Sequence, residues 1–133
     1  MRGAPQSHRS IAETAMASGS EPVELLQGTL DVLVLKAVSW GPAHGYGVAR
    51  WLQDVTDDAL RIEEGSLYPA LHRLEKRGFV EASWGLSENN RKAKYYRITA
   101  RGRQQLREEA SSWSAFASAV AKVLTSTKRP AWT

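Results

Sequence analysis

One stretch constrains this chain more than any other: Glu63-Glu64-Gly65-Ser66-Leu67-Tyr68-Pro69-Ala70-Leu71-His72-Arg73-Leu74-Glu75-Lys76-Arg77-Gly78. Leu67, Leu71 and Leu74 recur at i, i+4 and i+7, which puts them on one helical face that can be buried. The other surface carries Ser66, Tyr68, Pro69, His72, Arg73 and Lys76, a small, aromatic and cationic set. Pro69 in a helix interior would remove a hydrogen bond and clash one turn back. A start near Ser66 puts it in the first turn, where the missing N–H has no helical partner to lose. Gly78 ends the helix behind Lys76 and Arg77, cations favoured at the negative end of the helix dipole. Such a helix suits insertion into a DNA groove. It equally describes an ordinary amphipathic helix with a solvated basic face, so the flanks must decide.

Composition narrows the partners. Lys+Arg 18 against Asp+Glu 14 gives a net charge of +4 and a pI near 9.6, compatible with an anionic partner. Cysteine is absent, which removes disulfides, thiolate metal sites and a Cys nucleophile and fits a reducing compartment. The most apolar window, Leu30 to Trp40, is broken by Lys36 and is too short to span a bilayer. The N-terminus has no apolar signal-peptide core. A chain of 133 residues is one domain, expected to be soluble and cytoplasmic, with no membrane partner.

Residues 1–22 are rich in Ser, Ala and Gly and read as a mobile arm. Arg2, His8 and Arg9 in it could touch phosphate, or belong to a plain tail. A first helix, Glu24 to Trp40, is apolar on most of its circumference (Leu25, Leu26, Leu30, Val32, Leu33, Val34, Leu35, Ala37, Val38) and so should be enclosed by others, with Gly41-Pro42 stopping it. His44-Gly45-Tyr46-Gly47 opens a second short helix through Val48, Trp51, Leu52 and Val55. His44 and Tyr46 could bond phosphates at its N-terminus, or be a loop His and a packed Tyr. Leu60-Arg61-Ile62 is read as a short strand. Two helices joined by a short connection, the second basic, make a helix-turn-helix pattern.

Phe79 to Trp84 and Tyr95 to Ile98 are β-prone runs around a polar, turn-rich segment from Gly85 to Lys94, a hairpin with a long tip. From Glu88 to Arg103, the cations Arg91, Lys92, Lys94, Arg97, Arg101 and Arg103 meet a lone anion, Glu88. One-signed charge beside a basic helix points to phosphate. Thr99 should cap a last helix, Ala100 to about Thr125. Leu106, Ala110, Trp113, Ala117, Val120 and Leu124 step along it as an a/d seam, widened by Phe116 and Val123. A stripe that long predicts a two-fold dimer contact; the alternative is packing on the first helix of the same chain. The expected division is an arm (1–22), a winged-helix DNA-binding domain (23–99), a C-terminal dimerisation helix (100–125) and a flexible tail (126–133). The fold class is mainly α with a small β-hairpin wing: a winged helix-turn-helix plus a long C-terminal helix.

At these residues the chain resembles the PadR family of bacterial transcriptional regulators. The matching stretches are Leu26-Gln27-Gly28-Thr29-Leu30, His44-Gly45-Tyr46-Gly47, Gly65 to Glu75, and Lys94-Tyr95-Tyr96-Arg97-Ile98-Thr99 with Gly102. They cover residues 24 to about 104, and the lone last helix is similar to the short subfamily, which lacks a larger C-terminal domain. The resemblance implies a homodimer that represses promoters by binding a palindromic operator. In some members a phenolic or planar aromatic effector releases DNA, and in short forms aromatic residues of the last helix can line the ligand cavity at the dimer interface. Trp113 and Phe116 are the residues here that could do so; the alternative is that Trp113 is dimer core.

The expected division of labour on double-stranded DNA places Ser66, Tyr68, Pro69 and His72 near base edges or phosphates. Arg73 and Lys76 are phosphate contacts on the helix flank, and Arg91, Lys92 and Lys94 act at the wing tip. His44 and Tyr46 complete the DNA-binding set. No enzyme is expected. His8, His44 and His72 have no metal-ligand spacing, and no phosphate loop or serine nucleophile motif is present. Glu63-Glu64 and Glu108-Glu109 read as solvated charge, and neither metal nor cofactor is implied. The competing class is a winged-helix protein–protein interaction module without specific DNA binding.

Overall fold

The computed structural model describes residues 27–133. The expectations for the arm, with Arg2, His8 and Arg9, and for Leu25 and Leu26 concern residues outside that range. The described elements are α1 (Gln27–Val38), β1 (Ala43–His44), α2 (Gly45–Val55), α3 (Glu64–Lys76), β2 (Val80–Leu86), β3 (Lys92–Ile98) and α4 (Ala100–Thr125). The spacing of Leu67, Leu71 and Leu74 does what it demands: all three, with Ala70, are buried. They meet Leu30, Val34, Leu35 and Val38 of α1, Val48 and Leu52 of α2, and Phe79, Val80, Tyr96 and Ile98 of the sheet in one core. Fully burying an aliphatic side chain of this kind contributes roughly 1.5–3 kcal/mol. That core is what holds α3 at a fixed angle to the hairpin. The architecture is a winged helix-turn-helix with a long C-terminal helix.

Four local details depart from the sequence expectations. Trp40 lies past the end of α1 and is exposed, capped by Lys36 with its Nζ 4.6 Å from the ring centroid. Leu60-Arg61-Ile62 forms no strand. The third strand is instead Ala43–His44, which pairs antiparallel with β3 (Ala43 with Tyr96, His44 with Tyr95), giving the sheet order β1-β3-β2. Helix α3 begins at Glu64, not Ser66, so Pro69 is interior to it after all. The acceptor orphaned by the missing Pro69 N–H is the carbonyl of Gly65, at an exposed position where water can satisfy it. Strands β2 and β3 run further out than the β-prone runs suggested, with Trp84 opposite Lys94 and Leu86 opposite Lys92. The tip is only Ser87 to Arg91, closed by Asn90 N–H on Ser87 O (2.9 Å) and by Asn90 itself at φ 58, a left-handed backbone that Asn tolerates.

The joints around α3 and α4 are tightly specified. Gly78, at φ +78, ends α3: its N–H donates to Glu75 O and the Phe79 N–H donates to Leu74 O, the paired bonds of a Schellman turn. Thr99 then ties the start of α4 to that turn. Its Oγ1 donates to Gly78 O (2.7 Å) and accepts from Gly102 N–H (3.0 Å), while its own N–H donates to Phe79 O (3.0 Å). Gly102 is the buried residue of α4. A side chain there would overlap the Phe79 carbonyl oxygen and lie 2.9 Å from Ile98 Cγ1.

Candidate nucleic-acid interface

Burying the leucine stripe of α3 turns Ser66, Tyr68, Pro69, His72 and Lys76 outward together. Beside them, His44 caps α2: its Nδ1 accepts from the Gly47 N–H at 3.0 Å. An accepting Nδ1 leaves the ring proton on Nε2, a donor next to the positive end of the α2 dipole. Tyr46 stands exposed on the first turn, its hydroxyl 3.4 Å from Arg50 Nη1. Tyr68 bridges the two helices, because the hydroxyl end of its ring packs against Gly45. A Cβ on Gly45 would come within 2.8 Å of that ring. Gly45→Ala is therefore expected to leave the core intact but to swing Tyr68 off α2, read as a changed Tyr68 environment by NMR with a melting temperature close to that of the parent.

A cleft of about 560 Å³ runs between this helix pair and the wing, lined by His44, Tyr46, Tyr68, Trp84, Lys92 and Lys94 among others. His44, Tyr46, Tyr68 and Lys92 thus border one cleft, and Ser66, Pro69, His72, Lys76 and Arg91 are exposed on α3 and at the wing tip. Two expected phosphate contacts have other partners. Arg73 is turned inward and grips Asp31 of α1 with both arms (Nη2 to Oδ1 2.6 Å, Nε to Oδ2 3.1 Å), with only 29% and 13% of the two side chains exposed. The Asp31 hydrogen bonds raise the pKa of this guanidinium further. Lys94 lies on β3 and not at the tip, facing α3 with Nζ 3.6 Å from Glu75 Oε1 and 5.6 Å from the Tyr96 ring centroid. Burial pushes the Tyr96 phenol above its usual range, against the pull of Lys94, so it stays neutral.

The basic run is likewise dispersed. Arg97 pairs with Glu81 across the hairpin, Arg101 stacks on Phe79, and Arg103 reaches Ser39 O at 3.4 Å. Arg91 and Lys92 remain at the outer end of the wing, both exposed. Sequence reasoning missed the exposure of Trp84, which is 63% exposed with Lys92 Nζ 4.9 Å from its ring centroid. The period-2 pattern placed it with Val80 and Ala82, and on that face it is, but beyond the edge of the core.

On the opposite flank, Leu106 is half-buried against the core, whereas Ala110, Trp113, Ala117 and Leu124 are exposed. Trp113 and Phe116 lie 5.8 Å apart between ring centroids. With Val32, Leu35, Leu74, Arg77 and Phe79 they line an open cavity of about 460 Å³.

A family model for the PadR-like transcriptional regulators matches residues 34–108, which include α2, α3, the wing and the Thr99–Gly102 joint. The chain belongs to this family. Among solved structures, a PadR family transcriptional regulator from Eggerthella lenta is 35% identical, with 76% of this chain and 86% of that one covered at a TM-score of 0.64. A PadR-like regulator from Bacillus cereus is 32% identical, covering 76% and 96% at a TM-score of 0.66. An uncharacterized protein of Lysinibacillus sphaericus is 32% identical over 91 residues, 84% of its length. This PadR-like chain is therefore a transcriptional regulator, and among its described residues no helix is long and apolar enough to cross a membrane.

Proposed function

We propose that this PadR-like regulator is a cytoplasmic, sequence-specific DNA-binding protein that acts as a homodimeric repressor on a palindromic operator. The observation that carries the reading is the cleft that joins Tyr68 of α3 to the capped N-terminus of α2 and to the wing, beside the exposed polar side chains of α3. Ser66, Tyr68, Pro69 and His72 enter the major groove, while His44, Tyr46, Lys76, Arg91 and Lys92 hold backbone phosphate. Phosphate contacts supply affinity and orientation; base contacts supply sequence choice. Arg73 and Lys94 act from behind, positioning α3 against α1 and against the wing.

Dimerisation through α4 is supported by Trp113, Phe116, Val123 and Leu124, large apolar side chains between 37% and 74% exposed on one chain. A soluble helix leaves such a stripe open only where something covers it. The cavity beside Trp113 and Phe116 would admit a planar aromatic effector, and its wall includes Leu74 and Arg77 at the end of α3. An effector there would touch the end of the DNA-reading helix directly.

The test is binding to the DNA upstream of its own gene against a scrambled duplex at two salt concentrations, with molecular mass by sedimentation. Preference for the upstream fragment, a steep fall of affinity with salt and a dimeric mass support the proposal. No binding to either duplex at low salt overturns it in favour of a protein-binding module. Arg91→Ala is expected to weaken all sequences alike and to lower the slope of log affinity against log salt by about one. Saturable quenching of Trp fluorescence by planar aromatics tests the effector site.

A further inference from the structure

We propose that Trp84, seconded by Leu86, is a specificity-determining wedge that seats in the minor groove of the DNA flanking the base pairs read by α3. This rests on the DNA-binding reading above. The last cross-strand pair with both members buried is Val80 with Ile98, followed by half-buried Ala82 opposite buried Tyr96. Beyond Ala82 the strand continues as far as Leu86, roughly 14 Å at about 3.4 Å per residue. On that projecting ribbon, the face turned to α3 carries Trp84 and Leu86, 63% and 66% exposed, opposite Lys94 and Lys92.

Two large apolar side chains on a solvent-exposed ribbon are costly to keep unless a partner covers them. The partner's chemistry is set by what surrounds them. Lys92 lies over the Trp84 ring, Arg91 stands at the tip, and the cleft continues to Tyr68 and the α2 N-terminus. An apolar ridge bordered by cations matches a groove whose walls are deoxyribose and whose rims are phosphate. With α3 in the major groove, the wing lies along the neighbouring minor groove. There the floor is smooth over A·T pairs, whereas G·C pairs raise the guanine N2 amino group into the space a bulky ring would fill. Trp84 therefore favours A·T in the flank. Lys92, moved off the ring by the sugar wall, reaches the phosphate beside it.

The experiment begins with enrichment of binding sites from a random duplex pool by the full chain. The enriched site is then synthesised with A·T, G·C or inosine·C flanks; inosine keeps the major-groove pattern of guanine and lacks its N2 amino group. The parent is expected to bind the G·C flank about ten-fold more weakly than the A·T flank, and inosine·C is expected to behave as A·T. Trp84→Ala is expected to bind the A·T flank about ten-fold more weakly than the parent, with the same salt slope, and to lose flank discrimination; Trp84→Phe retains part of it. Trp84 lies outside the core, so these variants fold, and equal melting temperatures verify it. The inference is overturned if Trp84→Ala keeps the parent's affinity and discrimination, or if inosine·C behaves as G·C. Failure of the parent to enrich any sequence overturns the DNA reading itself, and the wedge with it.

Discussion

Gly102→Ala is expected to destabilise the folded chain by about 3 kcal/mol, the upper part of the range for forcing extra atoms into a packed core. Helix propensity alone argues the other way, since alanine is favoured over glycine by about 1 kcal/mol inside a helix. Packing decides the sign here. A methyl group at 102 overlaps the Phe79 carbonyl oxygen, which also accepts from the Thr99 N–H and sits in the turn closed by Gly78. Relief requires α4 to lift away from the α3–β2 turn, breaking the Thr99 bonds. A melting temperature lowered by roughly 10 °C is the expected readout. Gly28→Ala provides the contrast: a Cβ there meets nothing within 4 Å, so that variant should be neutral or slightly more stable. Equal behaviour of the two variants would mean that α4 is not held against the sheet as described.

Arg73→Ala is expected to cost about 2–3 kcal/mol, because it strands the carboxylate of Asp31 in a site that is 13% exposed. Removing one partner of a fully buried pair costs about 3–5 kcal/mol. The 29% exposure of Arg73 lets some water in and reduces that figure. Paired replacement, Asp31→Asn with Arg73→Met, should cost less than the sum of the single changes, since neither leaves a lone charge. Urea unfolding of the parent, Arg73→Ala, Asp31→Asn, Arg73→Met and the paired variant measures both statements. The same variants separate an internal tie from a DNA contact. Arg73→Ala should leave the salt slope of DNA binding unchanged, whereas loss of a phosphate contact would lower it by about one.

What was legible in the sequence follows from how local each signal is. The leucine spacing of α3, the Gly78 stop, the Thr99 cap and the long apolar seam of α4 are all written within a few residues, and the helices appear there. The start of α3 was misplaced because its N-cap, Glu63, makes no side-chain cap bond, and Ser66 offered a stronger conventional signal. Strand β1 has two residues and exists because Tyr95 and Tyr96 pair with it, a long-range bond that no local pattern announces. The wing ends were drawn short because Gly85 and the polar residues after it resemble a turn, yet they pair in register to Leu86 and Lys92. The expectation that Arg73 meets phosphate fails because its partner lies 42 residues away, on a helix whose pattern is apolar over most of its circumference. The basic run from Arg91 to Arg103 was read as one patch, and the alternation of a strand followed by the turns of a helix divides it among several sides. The exposed polar residues of α3 are legible from the leucine spacing, whereas which neighbouring cations are already paired within the fold is not.

The knot of bonds at Thr99 has a mechanical consequence. Because Thr99 and Gly102 fix the first turn of α4 to the turn that ends α3, the two helices are tied into one arm. Helix α4 has 26 residues, roughly 39 Å at about 1.5 Å per residue. In the proposed dimer, hinged near the far end of that helix, a swing of about five degrees would carry the near end through roughly 3.4 Å, the spacing of one base pair along a strand. On that proposal, an effector that tilts the two arms by so small an angle would shift each α3 out of step with its half-site. Neither arm would need to change its internal shape.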